Sequence, residues 1–148
     1  MEELLPIMEE QLNQGVKVAF TPYGISMRPM LEHGRDQVYL EKVTKETVRR
    51  RDVVFYRTPG GQFVLHRIVK LTPDVFVTRG DHHCYNDMPQ HYETLIGRVC
   101  RFERKGSQHQ VHDLSYRTYV TFWLGTYPVR WLFHKCGHGL KLLIQRIV

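Results

Sequence analysis

Asp52-Val53-Val54-Phe55-Tyr56-Arg57, the turn Thr58-Pro59-Gly60-Gly61 and Phe63-Val64-Leu65-His66-Arg67-Ile68-Val69 read as two strands joined by a tight reversal. β-Branched and aromatic residues fill both runs, as suits a pleated surface packed on at least one face. Pro59 holds φ fixed and the glycines after it accept a sharp bend, so the second run returns antiparallel to the first. This hairpin sets the class as mainly β.

Working outward toward the C-terminus, Thr72-Pro73-Asp74 turns the chain again and Val75-Phe76-Val77-Thr78 follows as a strand. A loop is expected from Gly80 to Tyr92, then a strand over Leu95 to Phe102. Lys105-Gly106 closes another hairpin, with Gln110-Val111 on its return side. Toward the N-terminus, Lys45 to Arg51 is a polar, basic connection, and Gln37-Val38-Tyr39-Leu40 and Val16-Lys17-Val18-Ala19-Phe20 are strands. Before them, Leu4, Leu5, Met8 and Leu12 share a helical face within residues 2–13, a lid or packing element with Pro6 in its first turn. Short strands at this spacing predict a compact antiparallel β-barrel or sandwich occupying residues 1–112, with that short N-terminal helix.

Residues 113–148 change character. Tyr119, Phe122, Trp123, Tyr127, Trp131 and Phe133 crowd together, broken by Gly125 and Pro128. Beyond Pro128, Leu132, Leu140, Leu143, Ile144 and Ile147 alternate with Arg130, Lys135, Lys141 and Arg146. Such an amphipathic helical segment either packs on the β-core or lies in a membrane interface.

One domain is expected from 148 residues, and the net charge of +6 favours anionic surfaces or acidic peptides as partners. Neither zinc-finger spacing nor an RNA-recognition motif appears, which argues against nucleic acid. Cys84, Cys100 and Cys136 are odd in number and form no C-x-x-C pair, so a reducing compartment is expected rather than a disulfide framework. The acidic start has no secretory pattern, and the uncharged run from Thr118 to Val129 falls short of the roughly 20 residues a span needs. A cytoplasmic or peripheral-membrane location is expected.

Chemistry concentrates in Gly24-Ile25-Ser26-Met27-Arg28-Pro29-Met30-Leu31 and the nearby Gly34-Arg35-Asp36. Gly24 and Pro29 can hold Ser26 out at a bend, but a serine hydroxyl attacks only once a base takes its proton. His66, on a stiff strand and with a near-neutral intrinsic pKa, is the candidate base. Asp81 and Asp87, in the loop after Thr78, are the candidate carboxylates to orient it, with an Asx turn the competing role for Asp81. Lys70, on the same strand, lies about 13 Å from His66 along an extended chain and is a poor substitute base. Two groupings of possible zinc ligands, His82-His83-Cys84 with His91 and His134, Cys136 and His138, lack paired structural spacing. No metal or other cofactor is expected.

Taken in order, G-x-S-M-x-P-x-L, H-R-I-V closing a strand, G-D-x5-D and L-I-G-R-V resemble the boxes of the type I signal peptidase superfamily, whose core LexA-like repressors share. The resemblance runs from Gly24 to Arg101, and His66 makes it similar to the histidine type of the endoplasmic reticulum and archaea rather than the lysine type. It implies a serine endopeptidase with Ser26 as nucleophile, His66 as general base and Asp87 as orienting acid. Asp81 is then the structural box aspartate, and Arg67 follows the base as in the family. The substrate implied is a peptide or protein added as an extended strand, with small side chains near the scissile bond. The short interval from His66 to Asp81 leaves no room for the second domain of the bacterial enzymes.

Three departures stand out. An acidic helix, not a membrane helix, precedes Ser26. Gly24 replaces the hydroxyl residue that often serves as oxyanion donor two places before the nucleophile. The usual G-D after the first box reads Gly34-Arg35-Asp36, an insertion expected in a turn. The first two favour an alternative, a weak or inactive relative that binds peptides or proteins in the same cleft.

Overall fold

In the computed structural model, which describes residues 2–133, eight strands form one antiparallel sheet curled into a half-barrel. The strands are β1 (Val18–Phe20), β2 (Gln37–Glu41), β3 (Val53–Arg57), β4 (Phe63–Leu71), β5 (Val75–Arg79), β6 (Gln90–His91), β7 (Leu95–Arg104) and β8 (Ser107–Gln110). Their order is β1-β2-β7-β3-β4-β5-β6, with β8 on β7. Long β7 therefore links the two halves. On β7, Arg101 pairs with Tyr39 of β2, Gly97 with Phe55 of β3, and Phe102 with His109 of β8.

The β3–β4 hairpin forms as the sequence reading expects, with Val54 opposite His66 and Tyr56 opposite Val64. All of Val53 to Tyr56 is buried, because both faces of the sheet are covered there. Val53 and Phe55 join a cluster with Met8, Leu12, Met30, Val38 and Leu40, whereas Val54 and Tyr56 join Val48, Ile68 and Phe76. A strand buried on two faces reads as a continuous apolar run rather than an alternating one. Each such side chain stabilises the fold by about 1.5–3 kcal/mol.

Helix α1 (Leu5–Asn13) carries Pro6 in its first turn and follows a 3-10 turn over Glu2–Leu4. Met8 and Leu12 reach the core, so α1 is a packing element, while Leu4 stays exposed. Gly34-Arg35-Asp36 lies in a turn as expected, but Asp36 is buried and accepts the backbone N–H of Glu32 at 2.9 Å. Other boundaries differ. The first strand begins at Val18 rather than Val16, and β8 ends where the return side of its hairpin was expected to begin. The expected loop from Gly80 to Tyr92 contains the two-residue strand β6, whose Gln90 pairs with Phe76, and ends in a 3-10 turn over Tyr92–Thr94. Two residues give no measurable periodicity, so only tertiary pairing reveals this strand.

Helix α2 (Leu114–Gly125) buries Tyr116 and Val120 in the same core as α1, and the chain is helical again over 127–133. Phe122, Val129, Leu132 and Phe133 remain exposed. The described part of the tail thus packs on the β-core and keeps an apolar outer face. The expectations for Lys135, Leu140, Lys141, Leu143, Ile144, Arg146 and Ile147, and for a site of His134, Cys136 and His138, lie outside the described residues. Among those described, no helix is long and apolar enough to cross a membrane.

Candidate active site

Ser26 sits in the loop between β1 and β2. Gly24 opens the loop at φ +111°, a backbone angle that L side chains rarely adopt, and donates its N–H to His33 Nδ1 at 2.8 Å. Leu31 donates to the Met27 carbonyl at 3.0 Å, and the side chains of Met27, Met30 and Leu31 are buried. Three apolar anchors thus hold a loop whose serine stays partly exposed. From the other side, the backbone N–H of His82 donates to the Ser26 carbonyl at 2.9 Å.

His66 is fixed on β4, its side chain 9% exposed. Its Nδ1 lies 2.6 Å from Asp87 Oδ2, and the backbone N–H of Asp87 donates to the Thr78 carbonyl at 2.8 Å. Thr78 Oγ1 donates to the same Oδ2 at 2.6 Å, and Tyr56 OH lies 2.8 Å from Thr78 Oγ1. Because the single Thr78 proton goes to the carboxylate, Tyr56 must be the donor in that contact. The result is a directed chain, Tyr56 to Thr78 to Asp87, with His66 donating from the other side. An Nδ1–H committed to Asp87 leaves the lone pair on His66 Nε2. That is the tautomer a base acting on Ser26 requires.

Burial alone would raise the Asp87 carboxyl, but the hydrogen bonds from His66 and Thr78 outweigh it and hold the group below the usual carboxylate range. Burial pushes the Tyr56 hydroxyl up, so it stays protonated and donating. A folded carboxyl that titrates below its unfolded counterpart contributes full stability above the unfolded value, about 4, and loses that contribution as pH falls through the folded value. Asp87 Oδ2 also accepts a longer bond from Tyr56 OH at 3.4 Å, so Thr78→Val removes one of three side-chain donors and leaves the Tyr56 hydroxyl only that longer contact, at a cost of about 1–3 kcal/mol. In urea unfolding from pH 7 to pH 2, the gap between wild type and Thr78→Val should stay level down to about pH 4 and narrow below it. A gap that does not change with pH would remove Thr78 from the set of groups holding Asp87 ionised.

Asp81 has a different job. Its two oxygens accept from Arg67 Nε at 2.7 Å and Nη2 at 2.6 Å, with both side chains 1% exposed. Arg67 also donates to Tyr116 OH at 2.9 Å and to the Arg51 carbonyl at 3.0 Å. Asp81 faces Arg67, and Asp87 is the carboxylate that meets His66. The Asp81 backbone carbonyl accepts from Trp123 Nε1 and Arg130 Nη1, each at 3.1 Å, so the tail braces the loop beside the site.

Gly80 was not singled out by the sequence reading, and it sets the spacing of the whole site. A Cβ there would stand 2.7 Å from the Ser26 carbonyl oxygen, 3.0 Å from His83 Nδ1 and 3.1 Å from His66 Nε2. The Ser26 loop and the His66 ring therefore converge on one residue that has no side chain. Among the described residues no hydrogen bond joins Ser26 Oγ to His66 Nε2. In unliganded sites such contacts are often long and close when substrate arrives. Gly80→Ala should push the two apart, costing about 1–3 kcal/mol of stability and lowering any activity of the pair at least tenfold. Thermal unfolding and peptide cleavage measure the two effects, and an Ala variant as active as wild type would show that the spacing does not matter.

Tyr56, Thr78 and His83 also escape a sequence reading. Thr78 and Tyr56 lie on strands with no local signal, and only the β3–β4–β5 register brings them together. His83 stacks on Tyr85 at 4.9 Å and meets the His66 ring edge-on at 5.2 Å. The imagined His82-His83-Cys84-His91 grouping does not assemble: among the described residues, the metal-capable group found is His66, His83 and Asp87. Lys70 is exposed, beyond a bulge between Ile68 and Lys70 that breaks the alternation carrying His66 inward.

A cleft of about 140 Å³ lies between Gly24, Ser26 and Met27 on one side and Phe63, Val64 and His66 on the other. It has room for one side chain. A wider groove of about 1110 Å³, lined by Arg49, Arg50, Arg51 and Arg117, lies between the sheet and α2 and holds none of Ser26, His66 or Asp87. The smaller cleft is the one next to reactive groups. No protein-family model and no curated protein sequence matches the chain.

Proposed function

We propose that the protein is a serine endopeptidase of the signal peptidase type. The observation that carries this reading is the directed chain from Tyr56 through Thr78 and Asp87 to His66, which leaves Nε2 free beside the Ser26 loop. His66 takes the Ser26 proton as Oγ attacks a peptide carbonyl, and Asp87 stabilises the imidazolium that forms. His66 then returns the proton to the leaving amine, and water hydrolyses the acyl-enzyme by the same route. The Ser26 backbone N–H bonds to no protein group among the described residues and can serve as an oxyanion donor. An extended peptide would lie between the Gly24–Met27 loop and the Phe63–Leu65 end of β4, with one side chain in the 140 Å³ cleft.

Gly24 supports slow turnover. It brings no hydroxyl, and its N–H is taken by His33 Nδ1. Losing one oxyanion donor typically costs on the order of 10²–10³ in rate. The same feature favours the second reading, a peptide-binding relative with little catalysis. The exposed Phe122, Val129, Leu132 and Phe133, with the arginines around the wide groove, support a peripheral lipid contact. Incubating purified protein with a peptide carrying an A-x-A-like site, and following it by mass spectrometry, tests the protease reading. Cleavage lost in Ser26→Ala is expected, whereas tight binding without cleavage would favour the second reading.

A further inference from the structure

We propose that His66 and His83 form a two-imidazole site for a first-row divalent cation such as zinc, and that filling it switches Ser26 off. The binding claim stands on geometry alone, and the switching claim rests on the protease reading.

His66 Nε2 and His83 Nδ1 lie 3.1 and 3.0 Å from the same point, the place a Cβ on Gly80 would take. Two imidazole nitrogens thus lie close to one small space that glycine keeps open. One nitrogen from each ring and an Asp87 oxygen all lie within 4.8 Å of one another. A tetrahedral zinc with bonds near 2.0–2.1 Å holds its ligand atoms about 3.3 Å apart. A modest inward movement of His83, on a loop, would close that gap while His66 stays on its strand.

Three further features favour metal over a chance meeting of rings. His83 Nδ1 is buried and makes no hydrogen bond, an arrangement that usually costs free energy and that coordination would relieve. The ring itself is held by stacking on Tyr85, and the His83 backbone N–H donates to the Gly80 carbonyl at 2.9 Å. On the other side, Asp87 accepts from His66 Nδ1, the carboxylate–histidine pairing that orients a metal-binding imidazole and raises its basicity. Two nitrogen ligands suit zinc, copper or nickel rather than calcium or magnesium. Water completes the coordination.

Coordination breaks no covalent bond: the His66 Nε2 lone pair goes to the cation. That lone pair is the one the Ser26 proton needs, so base and ligand are exclusive roles of one atom. The same Asp87 contact that prepares His66 as a base prepares it as a ligand.

The test titrates zinc into wild type, Ser26→Ala, His66→Ala and His83→Ala against a chromophoric chelator, with peptide cleavage followed separately. Wild type and Ser26→Ala should share a site that His66→Ala and His83→Ala weaken about 10–100-fold. Saturating zinc should lower wild-type cleavage at least tenfold, with recovery on adding chelator. His83→Ala, compared with itself with and without zinc, should lose that sensitivity. Equal zinc affinity in wild type and His83→Ala would overturn the site. Zinc that binds there yet leaves cleavage unchanged, or raises it, would overturn the switch. If wild type cleaves no peptide at all, the protease reading fails, and the binding measurements on Ser26→Ala still decide the metal site.

Discussion

Asp87→Asn is expected to lower peptide cleavage by about four orders of magnitude, with the fold intact. An asparagine can keep the shape of the site and still accept from Thr78. It cannot supply the negative charge that steadies the imidazolium when His66 accepts the Ser26 proton. Turned the other way, its amide would donate to His66 Nδ1 and place the ring proton on Nε2, where no lone pair would then face Ser26. Ser26→Ala and His66→Ala should each cost about as much as removing all three groups together, because the three act as a unit. Steady-state cleavage with matching circular dichroism spectra checks this. Asp87→Asn at near wild-type activity would mean that His66 is not the base, or that its tautomer is set by something else.

Asp81→Ala is expected to destabilise the protein by about 3–5 kcal/mol, because it strands the Arg67 guanidinium in the core. Burial works against that charge, but the Asp81 carboxylate beside it outweighs the burial and holds Arg67 firmly protonated. With Asp81 gone, Arg67 keeps only neutral partners, Tyr116 OH, the Arg51 carbonyl and Met30 Sδ. For a chain of this size the loss corresponds to a melting point lower by roughly 6–20 °C. The double variant Arg67→Met with Asp81→Leu should recover much of it, since well-packed apolar pairs often replace a buried ion pair at little cost. Thermal unfolding of the two variants decides the matter. If the single variant melts like wild type, the Arg67–Asp81 pair does not hold the loop to the core.

Much of the sheet is legible in the sequence because its strands are bounded by strong turn signals. Thr58-Pro59-Gly60-Gly61, Thr72-Pro73-Asp74 and Lys105-Gly106 each sit at a reversal. Ser26, His66 and Asp87 were legible through their neighbours in motif order rather than through local chemistry, and the geometry brings His66 and Asp87 into direct contact. Arg67 and Asp81 could be named but not paired, because a buried ion pair between a strand and a loop has no signature in spacing. Gly80 looks like an ordinary turn glycine until the Ser26 carbonyl is seen against it. His83 looks like a solvated loop histidine until its Nδ1 is found buried and its ring against that of His66. What escapes a one-dimensional reading here is convergence: residues whose role depends on what arrives from another strand.

The most direct test of the proposed chemistry is covalent labelling. Wild type is treated with a fluorophosphonate probe and the adduct is mapped by peptide mass spectrometry. A phosphonyl group on Ser26, absent from Ser26→Ala and strongly reduced in His66→Ala, is the expected result. An unlabelled Ser26, or one labelled equally well without His66, would contradict a serine activated by that imidazole.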